Sequence, residues 1–377
     1  MKRPVSIALF AASLASTCAI AQSGEPINIG QIVPTSGPIA TIGLRQSYTV
    51  QWWERDVNSK GGIKGRQVRV HQCNDEGSPE KAVTCARDLI AKGIVLLINS
   101  SVTGPVRATM PLVKNGPVMI VPSPNIMPDP GTYVFQVSPS DLELTRAIAE
   151  FLKKNGINHL GLVAATDASG EVTVESAKAV FPGAGIQYNL SRIDLRATDA
   201  SIQLATVAKS DVKIIFSAYS GAGAATVVKS YANLGLMQPL MVSYGNISDP
   251  FVALIKNDMP RRLLGIGLKG MVPELLPVGA GRDRLLYFAN GYQEFRKERY
   301  DQLNLNALAY VDVVEQILRN VPNPADAPAV KAYLEKTPIV SYQTLRFSPQ
   351  SHVGMNANDI AVIELKEGRW VEAAPIR

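Results

Sequence analysis

Two cysteines and a histidine fall close together in VHQCNDEGSPEKAVTCARDLI, residues 70–90: His71, Cys73 and Cys85. Such residues could bind a metal, act as a redox pair or form a structural disulfide. The redox reading wants C-x-x-C, which this stretch lacks. A metal site needs a third and fourth ligand, and the chain has only three histidines, His71, His159 and His352. The compartment bears on the choice. MKRPVSIALFAASLASTCAIAQS reads as a secretory signal, with Lys2 and Arg3 in the charged region, Val5 to Leu14 almost wholly apolar, and Ala19-Ile20-Ala21 as a cleavage site before Gln22. A spanning helix needs about 20 apolar residues; this run is shorter and carries Ser and Thr, and no later stretch is long and apolar enough. Cys18 offers a point for lipid attachment, but Thr17 before it fits a lipobox poorly. Cleavage after residue 21 leaves Cys73 and Cys85 as an even pair in an oxidising compartment, so a structural disulfide is expected. Closing so short a loop stabilises a fold by about 3 kcal/mol in the chain-entropy model.

A second set of residues suits binding rather than catalysis. PTSGPIATIG (34–43), NSSVTG (99–104), PSPN (122–125), ATDASGE (165–171), AYSGAGA (218–224) and YGNISD (244–249) are rich in Ser, Thr, Asn, Tyr and Gly. Most lead into a helix, where hydroxyls, free N–H groups and the positive dipole end suit a carboxylate or another small anion. Any one of them is an ordinary cap or turn. Six together, three in each half, favour a site between halves. Enzyme signatures are sparse: 34–43 lacks the Gly-Lys-Ser/Thr of a P-loop, and Gly221-Ala-Gly223-Ala-Ala-Thr226 is a fragment of a dinucleotide fingerprint. No G-x-S-x-G or H-E-x-x-H occurs. No catalytic residue, metal or cofactor is expected.

The elements carrying these loops are β-α-β units. Strands are expected at 26–33, 65–73, 93–99, 117–122, 159–165, 212–218 and 239–244, with helices such as 41–58, 79–92, DLELTRAIAEFLKKNG and ATVVKSYANLG between them. Gly or Asn-Gly closes the last two. Repeated units of this kind imply parallel sheets with helices on both faces. One series covers about 26–137 and another about 159–245. The junctions are YVFQVSPSD (133–141), GMVPELLPVGAG (270–281) and TPIVSYQTLRFSP (337–349), and a hairpin turn is expected at Glu367-Gly368. After cleavage roughly 355 residues remain, enough for two ordinary domains. Hydrophobic residues make up 46% and charged residues 19%, a globular composition. The net charge of +6 is spread among interleaved acids and bases, as in FRKERYDQ (295–302), so nucleic acid is not an expected partner.

With these motifs in hand, the chain resembles the extracytoplasmic solute-binding proteins of ABC transporters, of the leucine/isoleucine/valine-binding type (periplasmic binding protein type I). The residues that carry the resemblance are INIGQIVPTSGPIATIG followed by VNSKGGIKGRQVRV, then CNDEGSPEKAVTCARDLI, then 197–236 and 345–371. The resemblance implies an α/β fold of two Rossmann-like lobes, each a mostly parallel sheet with helices on both faces, joined by three hinge crossings. Lobe 1 would hold 26–138 plus 272–341, and lobe 2 139–271 plus 342–377. It further implies that Ser100, Ser101 and Thr103, with Ser123 and Asn125, hold a ligand carboxylate and that Tyr219 closes over the ligand. Amino-acid binders of this type often place an acid at the loop that reads Tyr244-Gly245-Asn246 here; Asp167 or Glu171 could substitute. The expected protein is a non-catalytic, monomeric periplasmic clamp. It would bind a branched-chain amino acid or related carboxylate and deliver it to an inner-membrane ABC permease. The alternatives are an aromatic or aliphatic acid without an amino group, or service as the ligand sensor of a membrane receptor.

Overall fold

Short apolar runs become parallel strands here because helices cover both faces of the sheets. In the computed structural model, which describes residues 24–376 apart from 38 and 222, the first sheet holds five such runs. They are β1 (Ile27–Ile32), β2 (Val68–Cys73), β3 (Leu96–Ile98), β4 (Val118–Val121) and β5 (Val134–Gln136), ordered β2-β1-β3-β4-β5 and all parallel. The expected signal peptide, 1–21, lies outside the described residues, as does Cys18.

The second half repeats the pattern. β6 (His159–Ala165), β7 (Gln187–Ile193), β8 (Ile215–Ala218), β9 (Leu240–Val242) and β10 (Leu263–Leu268) run parallel in the order β7-β6-β8-β9-β10. A two-stranded ladder of β11 (Ile339–Val340) and β12 (Thr344–Leu345) follows later in the chain. The hairpin β13 (Ile360–Lys366) and β14 (Arg369–Glu372) then adds antiparallel to β10. Its turn sits at Glu367-Gly368, both with positive φ, as the sequence predicts. The sequence reading passes over β5, β7 and β10. β7 is an edge strand of half-buried residues, and β5 has only three residues inside what reads as a linker.

The helices are α1 (Ala40–Ser59), α2 (Pro79–Ala91), α3 (Thr103–Thr109), α4 (Asp141–Lys154), α5 (Ala168–Val180), α6 (Ser201–Val207), α7 (Ala224–Asn233), α8 (Asp249–Leu254), α9 (Ala280–Arg296), α10 (Gln302–Asn320) and α11 (Ala327–Lys336). Local chemistry starts several of them. Ser78 caps α2 ahead of Pro79, Ser140 caps α4, and Asp301 and Asn304 form a capping box on α10. Among the described residues no helix is long and apolar enough to cross a membrane.

The chain passes between the two sheets three times: after β5, after β10 and after β12. The first and third crossings run together, because Gln136 N–H donates to the His352 carbonyl and Gly354 N–H to that of Gln136. α10 is buried along nearly its whole length and packs on α1 in the first lobe. Arg45 of α1 fixes its start, donating from Nε to Asp301 Oδ2 at 2.8 Å and pairing with Glu298. Cys73 and Cys85 form the expected disulfide, tying the end of β2 to α2 with the Cα atoms 5.7 Å apart. His71 is a strand residue whose ring Nε2 meets Asn28 Oδ1 at 3.0 Å.

Candidate ligand-binding site

In both sheets the strand order reverses direction beside the first strand of the unit, and ligands of open α/β sheets bind beyond the carboxyl ends at such a point. A cavity of about 390 Å³ lies there, between the two sheets. All six polar loops contribute to its wall, together with Glu76 and Gly77 after β2 and Leu195 after β7. Its volume falls in the small-metabolite range.

Five of the nine predicted ligand residues line it: Ser101, Thr103, Asn125, Asp167 and Tyr244. Ser100, Ser123, Tyr219 and Asn246 stand behind the wall. Ser100 shapes its own loop, its hydroxyl accepting from Val102 N–H at 3.2 Å. Ser123 is fully buried. Asn246 serves the backbone, accepting from Gly221 N–H at 2.9 Å and donating to the Tyr219 carbonyl at 2.7 Å. Tyr219 also sits off the cavity lining. Its ring packs in the second-lobe core, and its hydroxyl donates to the Leu195 carbonyl at 2.9 Å. Gly223 makes the room, since a Cβ there would lie 2.2 Å from the Tyr219 hydroxyl. Leu195, half exposed, takes the place on the cavity rim. Glu171 is paired with Arg192 and does not line the cavity.

The two walls differ in polarity. On the first-lobe side, the Ser101 hydroxyl has no hydrogen-bond partner, and Thr103 Oγ1 accepts from Asn125 Nδ2 at 3.1 Å. No side chain caps α3, and the first-turn N–H groups of Thr103 and Gly104 have no acceptor within the helix. This wall offers donors. On the second-lobe side, the corresponding helix start is already filled: Asp167 Oδ1 accepts from Gly170 N–H at 2.9 Å and from the Ser169 hydroxyl at 2.8 Å. The carboxylates on the wall are Glu76, Asp141 and Asp167, and among the described residues no Lys, Arg or His lines it.

Depth comes from α4. Asp141, Leu144, Thr145 and Ile148 sit at i, i+3, i+4 and i+7, one helix face, and all line the cavity. Phe216, Ile266, Leu303 and Tyr244 also line it, and the Tyr244 hydroxyl donates to Asn306 Oδ1 at 2.5 Å. An apolar body therefore fits below a polar rim. Asp141, at the first turn of α4, lines the cavity and is 7% exposed. Its Oδ1 accepts from Thr173 Oγ1 at 3.0 Å, and Oδ2 has no partner. Burial pushes its pKa up to about 6, against the pull of the Ser176, Thr173 and Thr145 hydroxyls.

Sequence reasoning missed Asp141, Phe216, Leu303 and Asn306. An acid just after a Ser cap reads as ordinary first-turn charge on a helix, and only the fold puts that turn against the cavity. Among the described residues no cluster of His, Cys, Asp or Glu could hold a metal.

Comparison with known proteins follows the same lines. A family model described as periplasmic binding protein matches residues 26–369. A Leu/Ile/Val-binding protein of Rhizobium johnstonii is 27% identical over 42% of this chain, a match spanning 45% of that relative, under half its length. An extracellular ligand-binding receptor from Rhodopseudomonas palustris shares the fold with a TM-score of 0.82 at 19% identity, over 93% of this chain and 100% of its own. An ABC-transporter solute-binding protein from R. palustris, solved in complex with benzoate, has a TM-score of 0.73 at 19% identity, over 92% and 95% of the two chains.

Proposed function

The chain belongs to the periplasmic binding protein family, and from that premise we propose that it is the solute-binding component of an ABC importer, capturing a small carboxylate-bearing solute with an apolar body. The observation that carries this reading is the cavity itself: a donor-bearing rim at Ser101, Thr103 and Gly104 stands over an apolar floor built from α4, β8 and β10. The carboxylate lies against the rim, and the body lies along Leu144, Ile148 and Phe216. Lobe 1 is 26–138 plus 272–341, and lobe 2 is 139–271 plus 342–377. Both walls meet the ligand only when the lobes are closed, so affinity is coupled to the closed population. The closed monomer, exported by its signal peptide, presents the solute to an inner-membrane permease; no catalytic step and no cofactor are involved.

Two solute classes fit this outline. An apolar amino acid is supported by the Leu/Ile/Val-binding relative. An amine-free acid is supported by the loop Tyr244-Gly245-Asn246, which carries no carboxylate and whose Asn246 is spent on backbone bonds. Thermal unfolding of the mature protein against free amino acids and aromatic and aliphatic acids tests the reading. A ligand at about 1,000 times its Kd adds roughly 4 kcal/mol, a clear rise in melting temperature. No rise with any member of either class would overturn the proposal.

A further inference from the structure

The cavity presents three carboxylates and, among the described residues, no cationic side chain. Two of the three have outlets: Asp167 caps α5 with Oδ1, and Glu76 pairs with Lys81 at 2.6 Å. Asp141 has neither a cation nor a backbone donor on its carboxyl. Its carboxyl faces hydroxyls: Thr145 on its own helix, and Thr173 and Ser176 on α5, the helix packed against it. The loop after β4 takes its backbone N–H through the Pro124 carbonyl. Two turns of α4 carry Glu143 and Arg146, which pair with each other. Glu76, Asp167 and Tyr244 are the other titratable groups on the cavity wall. A buried carboxyl with one unpartnered oxygen, on the wall of an acidic and partly apolar cavity, can be satisfied in two ways. It can keep its proton, or it can meet a cationic group brought by the solute.

We propose that Asp141 is the specificity-determining residue of this cavity and makes solute capture proton-linked. An amine-free carboxylate binds together with the proton held on Asp141, whereas an amino acid places its ammonium group against the ionised carboxylate and releases that proton to the buffer. This rests on the cavity being the solute site. The two classes therefore respond to pH in opposite directions. Removing the proton from Asp141 leaves an amine-free anion facing an uncompensated negative charge; removing it for an amino acid completes an ion pair.

The test is titration of the mature protein between pH 5 and pH 8 with L-leucine and with benzoate, or with the best binder of each class from the unfolding screen. The wild-type Kd for the amine-free acid should rise about tenfold per pH unit above about pH 6, as one-proton linkage requires. The Kd for the amino acid should fall over pH 5–6 and then level. Asp141→Asn should flatten both profiles and weaken the amino acid at least tenfold at pH 8, while its unliganded melting stays cooperative. Either class alone suffices, because the signs differ. Binding with the same pH profile in wild type and Asp141→Asn would overturn the role of Asp141 and leave the solute-binding reading standing. Absence of any binder would overturn that reading and this one with it.

Discussion

Gln302 is fully buried at the first turn of α10, and its amide joins two segments of the second lobe to a helix of the first. Nε2 donates to the Tyr244 carbonyl at 2.6 Å, and Oε1 accepts from Leu268 N–H at 2.8 Å. Both partners are backbone groups: Tyr244 opens the turn that walls the cavity, and Leu268 ends β10 at the second crossing. Gln302→Leu fills nearly the same volume but strands both groups. Each buried unsatisfied group costs about 1–3 kcal/mol, so the pair sets a range of about 2–6 kcal/mol. Relaxation at a lobe junction favours the lower half, and a loss of about 3 kcal/mol is expected. Urea unfolding followed by near-ultraviolet circular dichroism reads it as a lower midpoint with the slope retained. Solute affinity should fall as well, since the Tyr244 wall loses its tether. A stability within about 0.5 kcal/mol of wild type, the range of an ordinary surface substitution, would show that the bridge does not hold the junction.

Asp141→Asn should also change stability in a pH-dependent way. The folded carboxyl keeps its proton to about pH 6, whereas the unfolded one loses it near pH 4, so wild-type stability falls as pH rises from 4 to 6 and is then flat. Asn escapes that loss, and calorimetry should find the variant about equal at pH 4 and up to about 3 kcal/mol more stable at pH 8; a constant difference across that range would refute the assignment. Replacing both Cys73 and Cys85 by Ser should cost about 3 kcal/mol, and reductant should destabilise wild type by the same amount while leaving the variant unchanged. Gly43→Ala places a Cβ 2.0 Å from the Pro34 carbonyl oxygen, so the 34–43 loop must shift; a loss of about 1–3 kcal/mol with weaker solute binding is expected, and unaltered melting would contradict it. Tyr219→Phe removes the bond to the Leu195 carbonyl, which lies at the half-exposed rim where water can replace it. Stability should change by less than about 1 kcal/mol and solute affinity by under about threefold; a tenfold loss of affinity would place the hydroxyl on the ligand after all.

Local patterns were enough for most of the architecture. Apolar runs flanked by Gly and polar loops read directly as β6 and, to within three residues at each end, as β1, β2, β3, β4, β8 and β9, because a strand covered on both faces has to be apolar throughout. The disulfide followed from parity and compartment, and the hairpin from Glu367-Gly368 because a two-residue turn needs positive φ. The six loops were legible as a site because strand-to-helix connections share one end of a parallel sheet. Which side chains of those loops turn inward was not legible. Ser100 and Ser101 are adjacent and alike in type, yet one braces its loop while the other lines the cavity with its hydroxyl unpartnered. Tyr219 and Asn246 have the chemistry of ligand residues, but the Leu195 and Tyr219 carbonyls take up their donors instead. Asp141 is the converse, an apparent helix-start acid that becomes part of the site. Sequence periodicity sets which residues share a helix face or a strand face; whether a polar group on that face meets water, backbone or an enclosed cavity depends on elements far away in the chain. For Asp141 those are α5, which brings Thr173 and Ser176 to it, and the loop after β4, whose Pro124 carbonyl takes its backbone N–H; their packing turns a solvated carboxylate into a buried one with an unpartnered oxygen.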